Sequence, residues 1–462
     1  MLFNRRRRRY SSRYERKSRR FRWLPALLLI IGIPIGVELL ARLVVNMAGL
    51  TDKLTLDQTA PIMQAYELGF VDPEGDTYER LRSEGELAAA RNPLLGYRLL
   101  PSQTSDFWTI NPQGFRDTDP VTPEKTGDEV RIFVLGGSTA FGQLSTNNAA
   151  TFAEKLEAQL NNQVAQQAAN PGQFQPAVLP YRADQVTEAL ALPPRIRAGQ
   201  YRVVNAAIPG YASGNELALL VQHVAAYNPD ILVVIDSYPD LLLPSNQPGT
   251  DIPGIESALH DEQESLGRRF NRRVSQWFNH LYSVQLVKYY TPQAERPDAS
   301  SIRPLNLLTG EVDGPLSQQL AADETELNQR VNRYRQHLLQ MVRWTSGTRK
   351  RLIVGIQPEI TGRAAEALTA PEAAIVEELG DEYTERVQQG YAKLAEAATQ
   401  ATQASENAKA LNLYRLYETF EGQAFHSPTG LTDEANTVLA DTLYQAIAAD
   451  LAISPQPFGS AP

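Results

Sequence analysis

Val130-Arg131-Ile132-Phe133-Val134-Leu135-Gly136-Gly137-Ser138-Thr139-Ala140-Phe141-Gly142 is the stretch on which the reading of the fold turns. It begins as an apolar run with β-branched and aromatic residues, the composition of a buried strand. It ends in two glycines and a hydroxyl. Adjacent glycines let the backbone turn where a side chain would clash. Open α/β sheets gather ligands and chemistry outside the carboxyl ends of their strands, which is where Ser138 falls. By itself the motif also describes an ordinary strand ending in a Gly-Ser turn, so the rest of the chain decides.

Outward from that stretch, apolar runs and helical patterns alternate. Strands are expected at 130–135, 201–205, 231–236, 351–356 and 412–416. Helices are expected from Thr151, over 216–227, over 324–344, from Thr369, and from Thr432 to about Leu451. Thr151 with Glu154 and Thr369 with Glu372 have the spacing of capping boxes. Strand–helix alternation at this spacing predicts an α/β fold, a parallel sheet covered by helices on both faces. The expected architecture is three-layer αβα and flavodoxin-like, with strand order 2-1-3-4-5 over residues 129–451. Two insertions interrupt it, at 161–199 with a break at Asn170-Pro171-Gly172, and at 241–320 with amphipathic pieces near 270–290. Residues 51–128 read as a cap or approach segment, with short strands within 92–101 and 107–111. Residues 452–462 read as a tail.

Composition excludes several chemistries. The chain of 462 residues is 42% apolar and has no cysteine, so disulfides, thiol catalysis and Cys-ligated zinc are ruled out. Its five histidines are scattered, with no HExxH pair; neither a metal nor a cofactor is expected. Residues 1–22 hold eleven Lys/Arg against one acidic residue, Glu15, which leaves −19 on the rest of a chain whose balance is −9. An acidic body disfavours nucleic acid as a partner. The basic tail is better explained by its neighbour in the chain. Residues 23–37 are an apolar run that continues past Glu38 and Arg42, four apart and able to pair on one helix face, to Leu50. A transmembrane helix is expected over 23–47, with the tail in the cytoplasm by the positive-inside rule. The alternatives are a surface helix and a cleaved signal peptide; the uninterrupted run opposes the first, and the long basic segment without a small-x-small site opposes the second. An exported body without cysteine suits a bacterial envelope. The expectation is a single-pass protein of the bacterial inner membrane with its main domain periplasmic.

Four strand-end blocks then carry a resemblance. Gly136-Gly137-Ser138-Thr139, Ile208-Pro209-Gly210-Tyr211, Ser237-Tyr238-Pro239-Asp240 and Leu431-Thr432-Asp433-Glu434-Ala435-Asn436 succeed one another in the order and spacing of the SGNH (GDSL-like) hydrolase superfamily. The chain resembles that superfamily over roughly 129–451. The resemblance implies that Ser138 attacks an ester carbonyl, that a His takes its proton, and that an Asp three residues earlier orients the His. It also implies an oxyanion hole from the Ser138 backbone N–H, the Gly210 N–H and an Asn side chain. Ser138 and Gly210 are present. The Asn position holds Pro239, the His position Gly430 and the Asp position Ser427. His426, four residues before Gly430, is a displaced base or an exposed loop histidine, with Asp236, Asp240 or Asp433 as possible orienters. Gln357-Pro358-Glu359 ends another strand and reads as a turn or as a further wall of the crevice. Two functions stay open. One is a membrane-anchored esterase or acyl transferase acting on an acylated envelope glycan, lipid or peptidoglycan. The other is a degenerate domain that binds such a molecule or serves as a scaffold.

Overall fold

The computed structural model describes residues 59–71, 86–247 and 316–459. The chain divides into two compact units, 1–58 with 264–296 and 59–263 with 297–462; the first lies outside the described residues. So do the expected basic tail, the membrane span at 23–47 and most of the second insertion. Among the described residues no helix is long and apolar enough to cross a membrane.

Helix α1 (Thr59–Tyr66) leads into β1 (Leu68–Val71). With β2 (Leu87–Asn92) and β3 (Gly96–Leu99) this strand makes a small mixed sheet in the order β1-β2-β3. β4 (Gln103–Thr104) and β5 (Thr109–Ile110) form a short antiparallel pair. The β2–β3 turn forms because Asn92 Oδ1 accepts the amides of Leu94 and Leu95, a local bond that replaces ladder bonds where the chain reverses. The side chains of Tyr66, Phe70, Tyr97 and Trp108 from this region belong to the same continuous core as the main sheet.

The main sheet contains β6 (Val130–Gly136), β8 (Tyr201–Asn205), β9 (Ile231–Asp236), β10 (Arg351–Ile356) and β11 (Ala408–Asn412); β7 (Arg195–Ile196) lies apart and pairs with β12 (Ala452–Ile453). Its order is β11-β10-β9-β6-β8, every pair parallel, which is the expected 2-1-3-4-5 arrangement. Ile132 stands opposite both Val203 and Ile231, so β6 is central. Every residue of β6 and β9 is buried, and since successive side chains point to opposite faces, both faces of the sheet are covered. The covering helices are α3 (Phe152–Ala169) packed on α9 (Asp433–Leu451), and α5 (Ser213–Gln222), α7 (Glu324–Thr348) and α8 (Ala370–Thr402) packed in succession. Between them fall three short helices: α2 (Ser138–Phe141), α4 (Ala183–Ala191) and α6 (Tyr238–Leu242).

Three local expectations are corrected. The helix from Thr151 does not end at 160 but runs to Ala169, so the first insertion begins a helical length later. The helix expected over 216–227 begins at Ser213 and is α-helical only to Gln222, after which a 3₁₀ turn covers Val224–Tyr227. The last sheet strand is Ala408–Asn412, not 412–416. The apolar residues that suggested 412–416 are core residues of the succeeding turn: Leu413, Tyr414 and Tyr417 are all buried. β11 is an edge strand paired only to β10, so it needs fewer apolar side chains than a central one.

Candidate functional site

The four blocks converge at the carboxyl end of β6. Gly136 has φ +151°, and a Cβ there would collide with the Ile235 carbonyl and with Ala140. A Cβ on Gly137 would lie 3.0 Å from the Tyr211 carbonyl, 3.6 Å from Pro239 Cγ and 3.8 Å from Asp236 Oδ1. Gly136 is therefore required by close approach, a side chain at Gly137 would have to push the Tyr211 carbonyl aside, and the same contacts join the first, second and third blocks. The Ile208 amide donates to the Gly136 carbonyl at 3.0 Å, and the turn Ile208–Tyr211 closes with Gly210 at φ +85°. Thr139 Oγ1 donates to the Thr429 carbonyl at 2.9 Å and accepts from Gln357 Nε2 at 3.0 Å, which brings in the fourth block's loop and the end of β10.

Ser138 opens the one-turn helix α2, and its position is fixed from outside. Arg116 Nη1 donates to the carbonyls of Phe141 (2.9 Å) and Gly142 (2.7 Å), while Asn205 Nδ2 reaches the Ala140 carbonyl at 3.0 Å. The Ala140 and Phe141 carbonyls are ones that a helix this short leaves unpaired, while the Gly142 carbonyl also accepts the Ser145 amide at 3.1 Å. Arg116 also binds Asn148 Oδ1 (3.0 Å) and the Tyr66 hydroxyl (2.6 Å), and lies against the rings of Tyr66 and Phe141. It is a buried cation held by carbonyls, an amide and π faces rather than by a carboxylate. Burial lowers its pKa, partly offset by Tyr66. Tyr97 secures the second block in the same manner: its hydroxyl donates to the Pro209 carbonyl, and the Tyr211 hydroxyl donates to the Tyr97 carbonyl.

Ser138 is 7% exposed, and its hydroxyl is enclosed without a hydrogen-bond partner. The structure thus brings Ser138 and the Gly210 turn together but does not bond His426 to Ser138. His426 is exposed; its ring contacts Gln423 Nε2 at 3.5 Å and its amide donates to the Gly430 carbonyl. The three aspartates that could orient it are engaged elsewhere. Asp433 accepts from the Thr146 hydroxyl at 2.5 Å, Asp240 from Ser213, and Asp236 faces Glu216. At the implied His position, a Cβ on Gly430 would come within 2.6 Å of Ser427 Oγ, which itself accepts the Gly430 amide at 2.8 Å. Ser427 and Gly430 fit one another and close the loop. Pro239 lies in the first turn of α6 and offers no N–H to an oxyanion.

Ser213, Glu216 and His337, in the same region, were not singled out by the sequence. Ser213 Oγ donates to Asp240 Oδ1 at 2.7 Å and meets His337 Nδ1 at 2.8 Å. Glu216 on α5 is fully buried opposite Asp236. Burial, then repulsion from Asp240, lifts the Glu216 carboxyl to about 8; burial, then Glu216 and Asp240, holds Asp236 well above the usual range. Burial also lowers the His337 imidazole, against the pull of Asp240. Glu359 is buried, accepts from the Thr361 amide and hydroxyl and from Tyr383, and is raised by burial to about 7. The available signal for Ser213 and Glu216 was their place at the start of the helix just past Gly210-Tyr211. Among the described residues no group of three His, Asp or Glu side chains is arranged to hold a metal ion.

No family profile and no curated protein matches the chain. Solved structures do align with it. An acetyl xylan esterase matches over 69% of this chain and 100% of its own at 9% identity, TM-score 0.33. A lipase/acylhydrolase from Enterococcus faecalis matches over 70% and 98% at 13% identity, TM-score 0.32. A catalytic mutant of an acetylxylan esterase from Geobacillus stearothermophilus matches over 72% and 100% at 13% identity, TM-score 0.33. At such identities and scores no activity or site residue passes to this chain.

Proposed function

We propose that this chain is a membrane-anchored SGNH-type domain of the bacterial envelope whose crevice binds an acylated glycan or lipid without hydrolysing it, as a binding or scaffold subunit. The observation that carries the reading is the Ser138 hydroxyl, buried at the carboxyl end of the central strand with no imidazole or carboxylate in hydrogen-bonding reach. A serine without a base is a weak nucleophile at neutral pH. In serine hydrolases loss of the base costs on the order of a million-fold in turnover, and loss of one oxyanion donor about a hundred- to a thousand-fold. Pro239, Gly430 and Ser427 together remove one donor, the base position and its orienter, and the last two support each other in a closed turn. The anchor and the envelope location are supported by the +10 tail preceding the apolar run.

The second reading, an ester hydrolase or acyl transferase with His426 as base, is favoured by one feature: the loop bearing His426 is docked on Thr139, next to Ser138. Turnover of a short-chain aryl ester separates the two. The binding reading expects wild type, Ser138→Ala and His426→Ala to share one rate equal to the uncatalysed background. A wild-type rate above background that falls to a common floor in both variants contradicts it.

A further inference from the structure

Behind the crevice, three carboxyl groups from three elements meet without a base among them. Asp236 ends β9, Glu216 stands on α5 and Asp240 on α6, each at most 1% exposed. Asp240 is supplied with donors, the Ser213 amide at 2.9 Å and hydroxyl at 2.7 Å. Glu216 and Asp236 face each other with all four of their oxygens enclosed and without another side-chain donor, and the Ser237 amide is a backbone donor to Asp236. The groups that face them from α7 do not neutralise them. Tyr334 presents a fully buried hydroxyl that is itself without a partner. His337 is turned to Ser213 rather than to a carboxylate. Arg333 directs its guanidinium to the carbonyls of Asp240, Leu243 and Pro244. Two carboxylates in contact in such surroundings cannot both stay ionised, since each meets desolvation and the other's charge. One proton between them removes a charge and supplies the missing donor. The pair also lies against the crevice. Asp236 Oδ1 approaches Gly137, and Ser237, the next residue, is held at φ +156°. Glu216 rides the helix that begins at Ser213, just past Gly210.

We propose that Glu216 and Asp236 share one proton and that its loss at alkaline pH loosens the loops around Ser138, Gly210 and Ser237, making the crevice a pH-gated binding site. The gating of binding rests on the functional reading above; the shared proton does not. The sign is set by linkage. A carboxyl proton held more tightly in the closed form favours that form at low pH and releases it as pH rises. While opening releases one proton, the opening constant grows about tenfold per pH unit, and it levels once the closed form is ionised as well.

Hydrogen exchange on the full chain between pH 5.5 and 9 tests this, with protection factors followed at 138–140, 213–216 and 237–240 and strand β10 as reference for global unfolding. Wild type is expected to lose about tenfold protection per pH unit at the crevice relative to β10, then level off. Glu216→Gln and, independently, Asp236→Asn are expected to abolish that slope. Crevice protection that tracks β10 at every pH in wild type, or a slope unchanged in whichever variant folds, overturns the proposal. Ester turnover by wild type together with an intact slope overturns the binding reading and leaves the shared proton standing.

Discussion

Arg116 is the residue on which the geometry of Ser138 depends most. Nothing in Gly114-Phe115-Arg116-Asp117 announces this: an arginine in a polar approach segment reads as exposed, because arginine is seldom buried without a carboxylate. Its partners are backbone carbonyls 25 and 26 residues away, and sequence patterns do not record such contacts. Arg116→Met is expected to destabilise the fold by about 3–5 kcal/mol, since it leaves the α2 carbonyls and the Tyr66 hydroxyl short of a donor. Urea unfolding followed by circular dichroism reads this, and a loss under about 1 kcal/mol contradicts the assigned role. Ser138 behaves in the opposite sense. Its hydroxyl is buried and unpartnered, so Ser138→Ala is expected to leave stability unchanged or raise it by about 1 kcal/mol. A loss of about 1 kcal/mol or more in the same assay would reveal a hydrogen bond that the closed crevice does not contain. Gly136, Gly137 and Ser138 were legible because three further strand-end blocks follow them in order; alone, the double glycine also describes an ordinary turn. Glu216 and Ser213 were not, because a helical glutamate ordinarily faces solvent.

At the scale of elements, legibility tracked burial and capping. The inner strands β6, β9 and β10 were readable because their apolar runs are continuous, as parallel strands covered on both faces require, and β8, at the edge opposite β11, was readable because Val203 and Val204 are core residues. The edge strand β11, Ala-Lys-Ala-Leu-Asn, carries no such run, and the neighbouring core residues drew the expectation four residues too far. Helix starts were marked by their caps. Thr432 Oγ1 accepts the Ala435 amide at 3.1 Å and donates to the Gln423 carbonyl at 3.0 Å, which ties the start of α9 to the loop that carries His426. Thr432→Ala is expected to cost about 1–2 kcal/mol, and Thr432→Ser to recover most of it. Equal losses in the two variants, measured by thermal unfolding, would mean that the methyl group and not the cap matters.

For the whole molecule, the buried carboxyls set the pH of greatest stability. Glu154 and Glu359 are each raised to about 7, both chiefly by burial, and Glu216 to about 8. A carboxyl whose pKa is higher folded than unfolded stabilises most fully below its unfolded value, and that contribution is lost as pH rises through the folded one. Stability is therefore expected to fall from about pH 5 to pH 8. Glu326 acts the other way: hydrogen bonds from Ser245 hold it down to about 2, so its contribution is lost as pH falls below the ordinary carboxylate range. Urea midpoints from pH 3 to pH 9 are expected to peak near pH 5, and a maximum at pH 8 or above contradicts the raising of these acids by burial. The proposed topology is separately testable: a carboxyl-terminal reporter is expected to be active only outside the cytoplasm, and activity confined to the cytoplasm contradicts it.

The proposed function holds Ser138 in the crevice without a base to activate it. The most direct test is labelling of the full chain by a serine-directed fluorophosphonate, which reacts only with an activated hydroxyl. No labelling of Ser138 above that of Ser138→Ala is expected. Robust labelling of Ser138 that disappears in His426→Ala would contradict it, because it would show that His426 reaches the hydroxyl and serves as its base.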